Sequence, residues 1–146
     1  MSARTLYLMR HGEPVLTGRM LGRTDCDVTP DGIAACRAQA EGLAVAHVIA
    51  SDLHRASRCA EAIAADLGLS PQIDARWREL DFGAWDGLES GTIDPDAIGR
   101  FWSDPDANPP PGGERWSALV TRIGAAIDDL PPEPALIVTH GGAMRA

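Results

Sequence analysis

Three short apolar runs in this chain each stop at a polar cluster, and sequence with helical periodicity lies between them. Residues 5–9 run into Arg10-His11-Gly12, residues 47–50 into Ser51-Asp52-Leu53-His54-Arg55, and residues 135–139 into His140-Gly141-Gly142. Runs of this length and composition read as buried strands. The intervening segments start and repeat as helices do. Thr29-Pro30-Asp31 supplies a capping hydroxyl, a proline suited to the first turn and an acid near the positive helix end, and Ile33, Cys36, Ala40 and Leu43 follow at helical spacing. Leu53, Ala56, Ala60, Ile63 and Leu67 form a second such series, and Trp116, Leu119, Val120, Ile123, Ile127 and Leu130 a third. Strands alternating with helices imply an α/β fold, a three-layer sandwich with a mostly parallel central sheet flanked by helices. Ligands on such sheets bind beyond the carboxyl ends of the strands, so the three polar clusters are expected to share one pocket.

The chain has 146 residues, 45% of them hydrophobic, enough for one domain over residues 1–146 with a single core. Its formal charge of -8 excludes a general nucleic-acid or membrane-surface role, because polyanions would be repelled; a phosphate site has to be a local exception. All 13 basic side chains are arginine. Without lysine, neither a Walker-type phosphate loop nor Schiff-base chemistry fits. Cys26, Cys36 and Cys59 are odd in number and form no CxxC pair, which reads as reduced core thiols. The start at Met1 has no leader-like core and no apolar stretch reaches membrane length, so a cytoplasmic protein is expected. A brief strand is expected around residues 72–74. Residues 83–113, rich in Asp, Pro and Gly, read as a lid or insertion with one short helix near residues 98–102.

Phosphoryl transfer without a metal needs a nucleophile, positive charge on the non-bridging oxygens and an acid for the departing oxygen. His11, at a strand end, is the candidate nucleophile, because neutral imidazole is available near pH 7. Arg10 and Arg55 can each offer a guanidinium fork, His140 can donate from the opposite side, and Gly12 lets a substrate approach the backbone. Thr17 or Thr24 can add a hydroxyl. Spacing alone leaves the acid open among Glu79, Asp81 and Glu13, with Asp86 a further fallback.

The sequence Leu6-Tyr7-Leu8-Met9-Arg10-His11-Gly12-Glu13 resembles the signature of the histidine phosphatase (phosphoglycerate-mutase-like) superfamily. Further segments match that family in order: Gly22 to Asp25 with Val28 to Gly32, Ser51 to Ala56, Arg78 to Gly87, Pro111 to Glu114, and Val138 to Gly142. The resemblance implies that His11 becomes a phosphohistidine, that Arg10, Arg55 and His140, with Gly141, bind the phosphoryl group, and that Glu79 is the proton donor. It implies no metal and no other cofactor. The short segment between Gly83 and Gly113 is most similar to that of α-ribazole phosphatases and broad small-molecule phosphatases, making a small phosphate ester the expected partner. A phosphoglycerate-type mutase and a non-catalytic phosphate-binding member are the alternatives.

The chain also departs from the family pattern. Cys59 replaces a usual Thr, where a packing change is expected, and Trp77 and Arg78 stand where they are expected to alter the pocket wall. After His140-Gly141-Gly142 the family usually continues with a helix and strand, whereas here six residues follow His140. The expectations are a frayed end near His140 and either a shortened chain or partner contacts, for example a homodimer, over the surface left bare. A metal hydrolase built from His11, His47, His54 and His140 is a competing reading, but no HExxH, HxH or CxxC spacing supports it.

Overall fold

A computed structural model describes residues 5–146. The expectation of a leaderless start concerns residues 1–4 and lies outside the described residues. Four strands, β1 (Leu6–Arg10), β2 (His47–Ala50), β3 (Pro71–Ile73) and β4 (Ala135–Thr139), form one sheet in the order β1-β4-β2-β3, every pair parallel. Helices α1 (Pro30–Ala40), α2 (His54–Leu67), α3 (Pro95–Ser103), α4 (Trp116–Asp128) and α5 (Gly141–Arg145) complete the chain, with short 3-10 turns at Ala75–Trp77, Gly83–Trp85 and Ser90–Thr92.

Side-chain alternation along the strands separates two helix layers. Val48, Ala50, Leu136 and Val138 face Cys36 of α1 and Ala56, Cys59 and Ile63 of α2. Ile49, Ala135 and Ile137 face Leu119, Ile123 and Ala126 of α4, with Phe101 of α3 and Ala143 of α5. This is the expected three-layer sandwich. β4 lies between two neighbours and under both layers, which is why all five of its residues are buried and it reads as an unbroken apolar run.

The helix signals hold locally. Thr29 caps α1 by accepting from the Gly32 amide at 2.9 Å, and Gly68 ends α2 with φ +70, a conformation glycine adopts without strain. No helix among the described residues is long and apolar enough to cross a membrane.

Several expectations are corrected by packing. β1 is an edge strand rather than a buried one: among the described residues it pairs only with β4, and Tyr7 and Leu8 are 36% and 45% exposed. The third strand occupies residues 71–73. On α4, Val120 and Ile127 face outward because the layer beneath contacts only the Leu119, Ile123 and Ala126 stripe. Cys26 is only half-buried, whereas Cys36 and Cys59 are core thiols. Residues 83–113 send Trp85, Ile93 and Phe101 into the core, and their helix, α3, covers nine residues. His140 is fully buried, and its carbonyl accepts the Met144 amide at 3.0 Å, so no fraying reaches it.

Candidate active site

Because β4 lies between β1 and β2, their carboxyl ends bring His11, His140 and Ser51 side by side. The His11 amide donates to the Thr139 carbonyl at 2.9 Å, and the two imidazole rings lie 5.0 Å apart, tilted by 54°. His140 Nε2 pairs with Ser51 Oγ at 2.7 Å, while its buried Nδ1 has no hydrogen-bond partner among the described residues. If Ser51 donates to Nε2, Nδ1 carries the proton and can donate to a ligand oxygen.

His11 Nδ1 lies 2.7 Å from its neighbour's carbonyl at Gly12. A carbonyl only accepts, so Nδ1 carries the hydrogen and Nε2 keeps its lone pair. Burial, opposed by that carbonyl and reinforced by the charges of Arg55 and Arg10, lowers the His11 pKa to about 4. Burial, then the positive charge of Arg55, likewise holds His140 well below the usual histidine range. Both rings are therefore neutral at pH 7. Gly12 also has a packing role: a Cβ there would sit 2.5 Å from the Gly32 carbonyl oxygen, so its bareness lets the strand end pack against α1.

A cavity of about 380 Å³ opens beside His11. Arg10, Thr17, Glu79 and Gly141, all sequence candidates, border it with His11. Arg10 makes no side-chain hydrogen bond or ion pair within the described residues, leaving its guanidinium available to an anion. Arg55 differs. It is fully buried, and its terminal nitrogens donate to the carbonyls of Thr24 (2.6 Å), Leu21 (3.1 Å) and Gly22 (2.9 Å). Its fork is committed to the backbone of residues 21–24, and Nε alone is left without a partner among the described residues. Thr24 contributes that carbonyl and does not border the cavity.

The carboxylate choice left open by spacing narrows in three dimensions. Glu79 borders the cavity, held by the Leu80 amide at 2.8 Å and the Gly142 amide at 3.0 Å. Asp81 and Asp86 instead accept from the Gly83 and Gly22 amides, and neither they nor Glu13 reach the cavity wall. Trp77 and Arg78 do not alter that wall. Trp77 is buried in the core and Arg78 forms an ion pair with Asp52, because the turn carrying them lies under α4. Cys59 is fully buried on α2, its thiol donating to the Arg55 carbonyl at 3.5 Å.

Sequence reasoning missed Arg122 and the reason for Glu114. Arg122 Nε and Nη2 grip the Glu114 carboxylate at 2.9 Å each, and its remaining hydrogens go to the carbonyls of Arg76 (2.8 Å), Arg78 (2.7 Å) and Glu79 (2.7 Å). Glu114 also accepts the Asp81 amide at 3.2 Å. The pair thus clamps the segment that presents Glu79. The signal was an arginine three residues after Leu119 and four before Ala126, on the apolar face of α4. We expect Arg122→Leu to strand a mostly buried carboxylate and three carbonyls, at about 3–5 kcal/mol. A melting curve checks this: the expected fall is on the order of 10 °C, and an unchanged midpoint removes the clamp.

The histidines of the competing metal reading do not converge. His47 contacts Glu133 and Gln72, and His54 pairs with Asp25. No group of three or more His, Cys, Asp or Glu side chains is placed to hold a metal among the described residues.

The family model of the histidine phosphatase superfamily, branch 1, matches residues 6–146. A glucosyl-3-phosphoglycerate phosphatase of Mycobacterium tuberculosis is 33% identical over 165 residues, an alignment covering 100% of this chain and 74% of the relative. A probable phosphoglycerate mutase GpmB of Cronobacter sakazakii is 33% identical over 151 residues, covering 95% and 70%. Among solved structures, TTHB049 from Thermus thermophilus superposes with a TM-score of 0.82 at 37% identity, covering 96% of this chain and 80% of that one. The match extends from β1 to the end of the chain and so takes in His11, Glu79 and His140. By fold, sequence and the residues gathered at its strand ends, the chain belongs to branch 1 of the histidine phosphatase superfamily.

Proposed function

We propose that this protein hydrolyses small phosphate monoesters through a phosphohistidine on His11, with Glu79 as proton donor. The observation that carries the reading is the state of His11: Nδ1 is tied to the Gly12 carbonyl, leaving a neutral imidazole whose Nε2 is unprotonated beside a cavity that Arg10 and Glu79 also border. Nε2 attacks phosphorus, the bond to the alcohol oxygen breaks, and that oxygen takes a proton from Glu79. Water then attacks the phosphohistidine, gives a proton back to the Glu79 carboxylate, and the P–N bond breaks. The same carboxyl group serves as acid and then as base. Arg10, His140 Nδ1 and Arg55 Nε are donors that the fold leaves unused and that can offset charge on the phosphoryl oxygens.

The test is a quenched reaction with a phosphorus-labelled small monoester in the presence of a strong chelator. The expected product is label on the protein that is lost in acid and kept in base, as a phosphoramidate behaves. Turnover without such label removes the nucleophile assignment, and label passed to an added alcohol rather than to water marks a mutase. The low pKa of His11 adds a pH signature. Protonation silences Nε2, so the part of kcat/KM that His11 controls is expected to hold as pH falls below the usual histidine value and to drop only near about 4. An acid limb near the ordinary histidine value, beyond the one that the substrate's own second phosphate ionisation at about 6 produces, contradicts the buried, neutral His11.

A further inference from the structure

Away from the phosphoryl end, the cavity wall is mostly aromatic and aliphatic. Both phenylalanines of the chain and two of its four tryptophans border it: Phe82, Phe101, Trp102 and Trp116. Phe101 is 2% exposed and anchored edge-on against Trp85 (5.7 Å, 85°) and Phe82 (6.3 Å, 77°). Trp102 packs on Phe101 with ring centroids 5.0 Å apart, yet is itself 61% exposed. A buried aromatic cluster therefore holds an open indole at the cavity wall. A large apolar ring kept in water is stabilised when a flat ligand covers it.

The polar side chains on this part of the wall are Thr17 and the cations Arg19 and Arg145; no Asp, Asn, Gln or Ser borders the cavity among the described residues. A polyol or sugar needs paired donors and acceptors on its wall, because hydroxyls buried without partners weaken binding.

We infer that the alcohol portion of the substrate is a flat aromatic group seated against Trp102 and Trp116, so that aryl-bearing phosphate monoesters are preferred over phosphates of polyols and sugars. The inference rests on the proposed function only for the placement of the phosphoryl group at His11. Trp102 and Trp116 are specificity residues in this account and take no part in the bond changes.

Benzyl phosphate and glycerol 3-phosphate make the comparison fair, since both are dianionic esters of primary alcohols. Benzyl phosphate is expected to have a kcat/KM about tenfold higher or more, and Trp102→Ala to lower that value about 3- to 10-fold through KM, the scale of a lost aromatic contact, and to lower it several-fold more than the value for glycerol 3-phosphate. Trp102 is the variant of choice because its exposure makes the substitution compatible with folding; Trp116→Leu is the second. In parallel, calorimetric titration with benzylphosphonate and 2,3-dihydroxypropylphosphonate, which are not hydrolysed, reports the preference without turnover. Equal binding of the two phosphonates, or a Trp102→Ala effect of equal size on both esters, overturns the inference. Preferential binding of benzylphosphonate without turnover of any ester supports it and overturns the phosphatase reading. Turnover without aromatic preference does the reverse.

Discussion

His11→Ala is expected to lower kcat by roughly 10⁴-fold or more, the scale on which loss of a covalent nucleophile acts in other hydrolases, and to abolish acid-labile labelling altogether. The size follows from the absence of a substitute. His140 is the nearest imidazole, but with its Nε2 engaged by Ser51 its other ring nitrogen carries the proton and offers no lone pair. The side chain of His11 contributes one local bond, to the Gly12 carbonyl, so its removal costs about 1 kcal/mol and shifts the melting midpoint by about 2–4 °C. A small thermal effect with complete loss of labelling is the combination to look for. Labelling that persists in the variant places the phosphoryl group on another residue.

Gly142→Ala is expected to have the next largest effect, although residue 142 carries no reacting group. A Cβ at that position would run into Glu79 Oε1 and lie 3.1 Å from the carboxylate carbon. The colliding atoms are the flexible end of a side chain, so Glu79 swings aside and the backbone stays. The carboxylate then leaves the Gly142 and Leu80 amides that aim it. Loss of a positioned acid slows turnover about 10²-fold or more for esters of ordinary alcohols, and far less for esters with good leaving groups that depart without a proton. The leaving-group dependence of kcat should therefore steepen, as it should in Glu79→Gln. Because Gly142 lies in α5, alanine also favours the local helix, and the melting midpoint should hold. Equal slowing of all esters moves the acid role away from Glu79.

Local pattern made the frame of this protein legible. Apolar runs that end in Arg10-His11, Ser51 and His140 specify parallel strands with polar tips, because strand periodicity and helix caps are properties of adjacent residues. The adjacency of His11 and His140 follows from that rule once β4 pairs with β1. Motif resemblance added Glu79, which spacing alone did not separate from Asp81 or Glu13.

Pairings between distant segments were not legible in this way. Arg55 reads as a second phosphate fork, yet it holds carbonyls 31 to 34 residues away in sequence, because the loop at residues 21–24 folds over the start of α2. Arg122 reaches carbonyls 43 to 46 residues away, and no periodicity links α4 to the turn before Glu79. The exposure of β1 likewise depends on what lies beside it in the sheet, not on its own residues. The sequence by itself determined which residues can do chemistry and at which strand ends they stand. Only the tertiary structure decided which polar groups are already satisfied by backbone and which face the cavity, because hydrogen-bond satisfaction depends on all the neighbours a folded chain brings together.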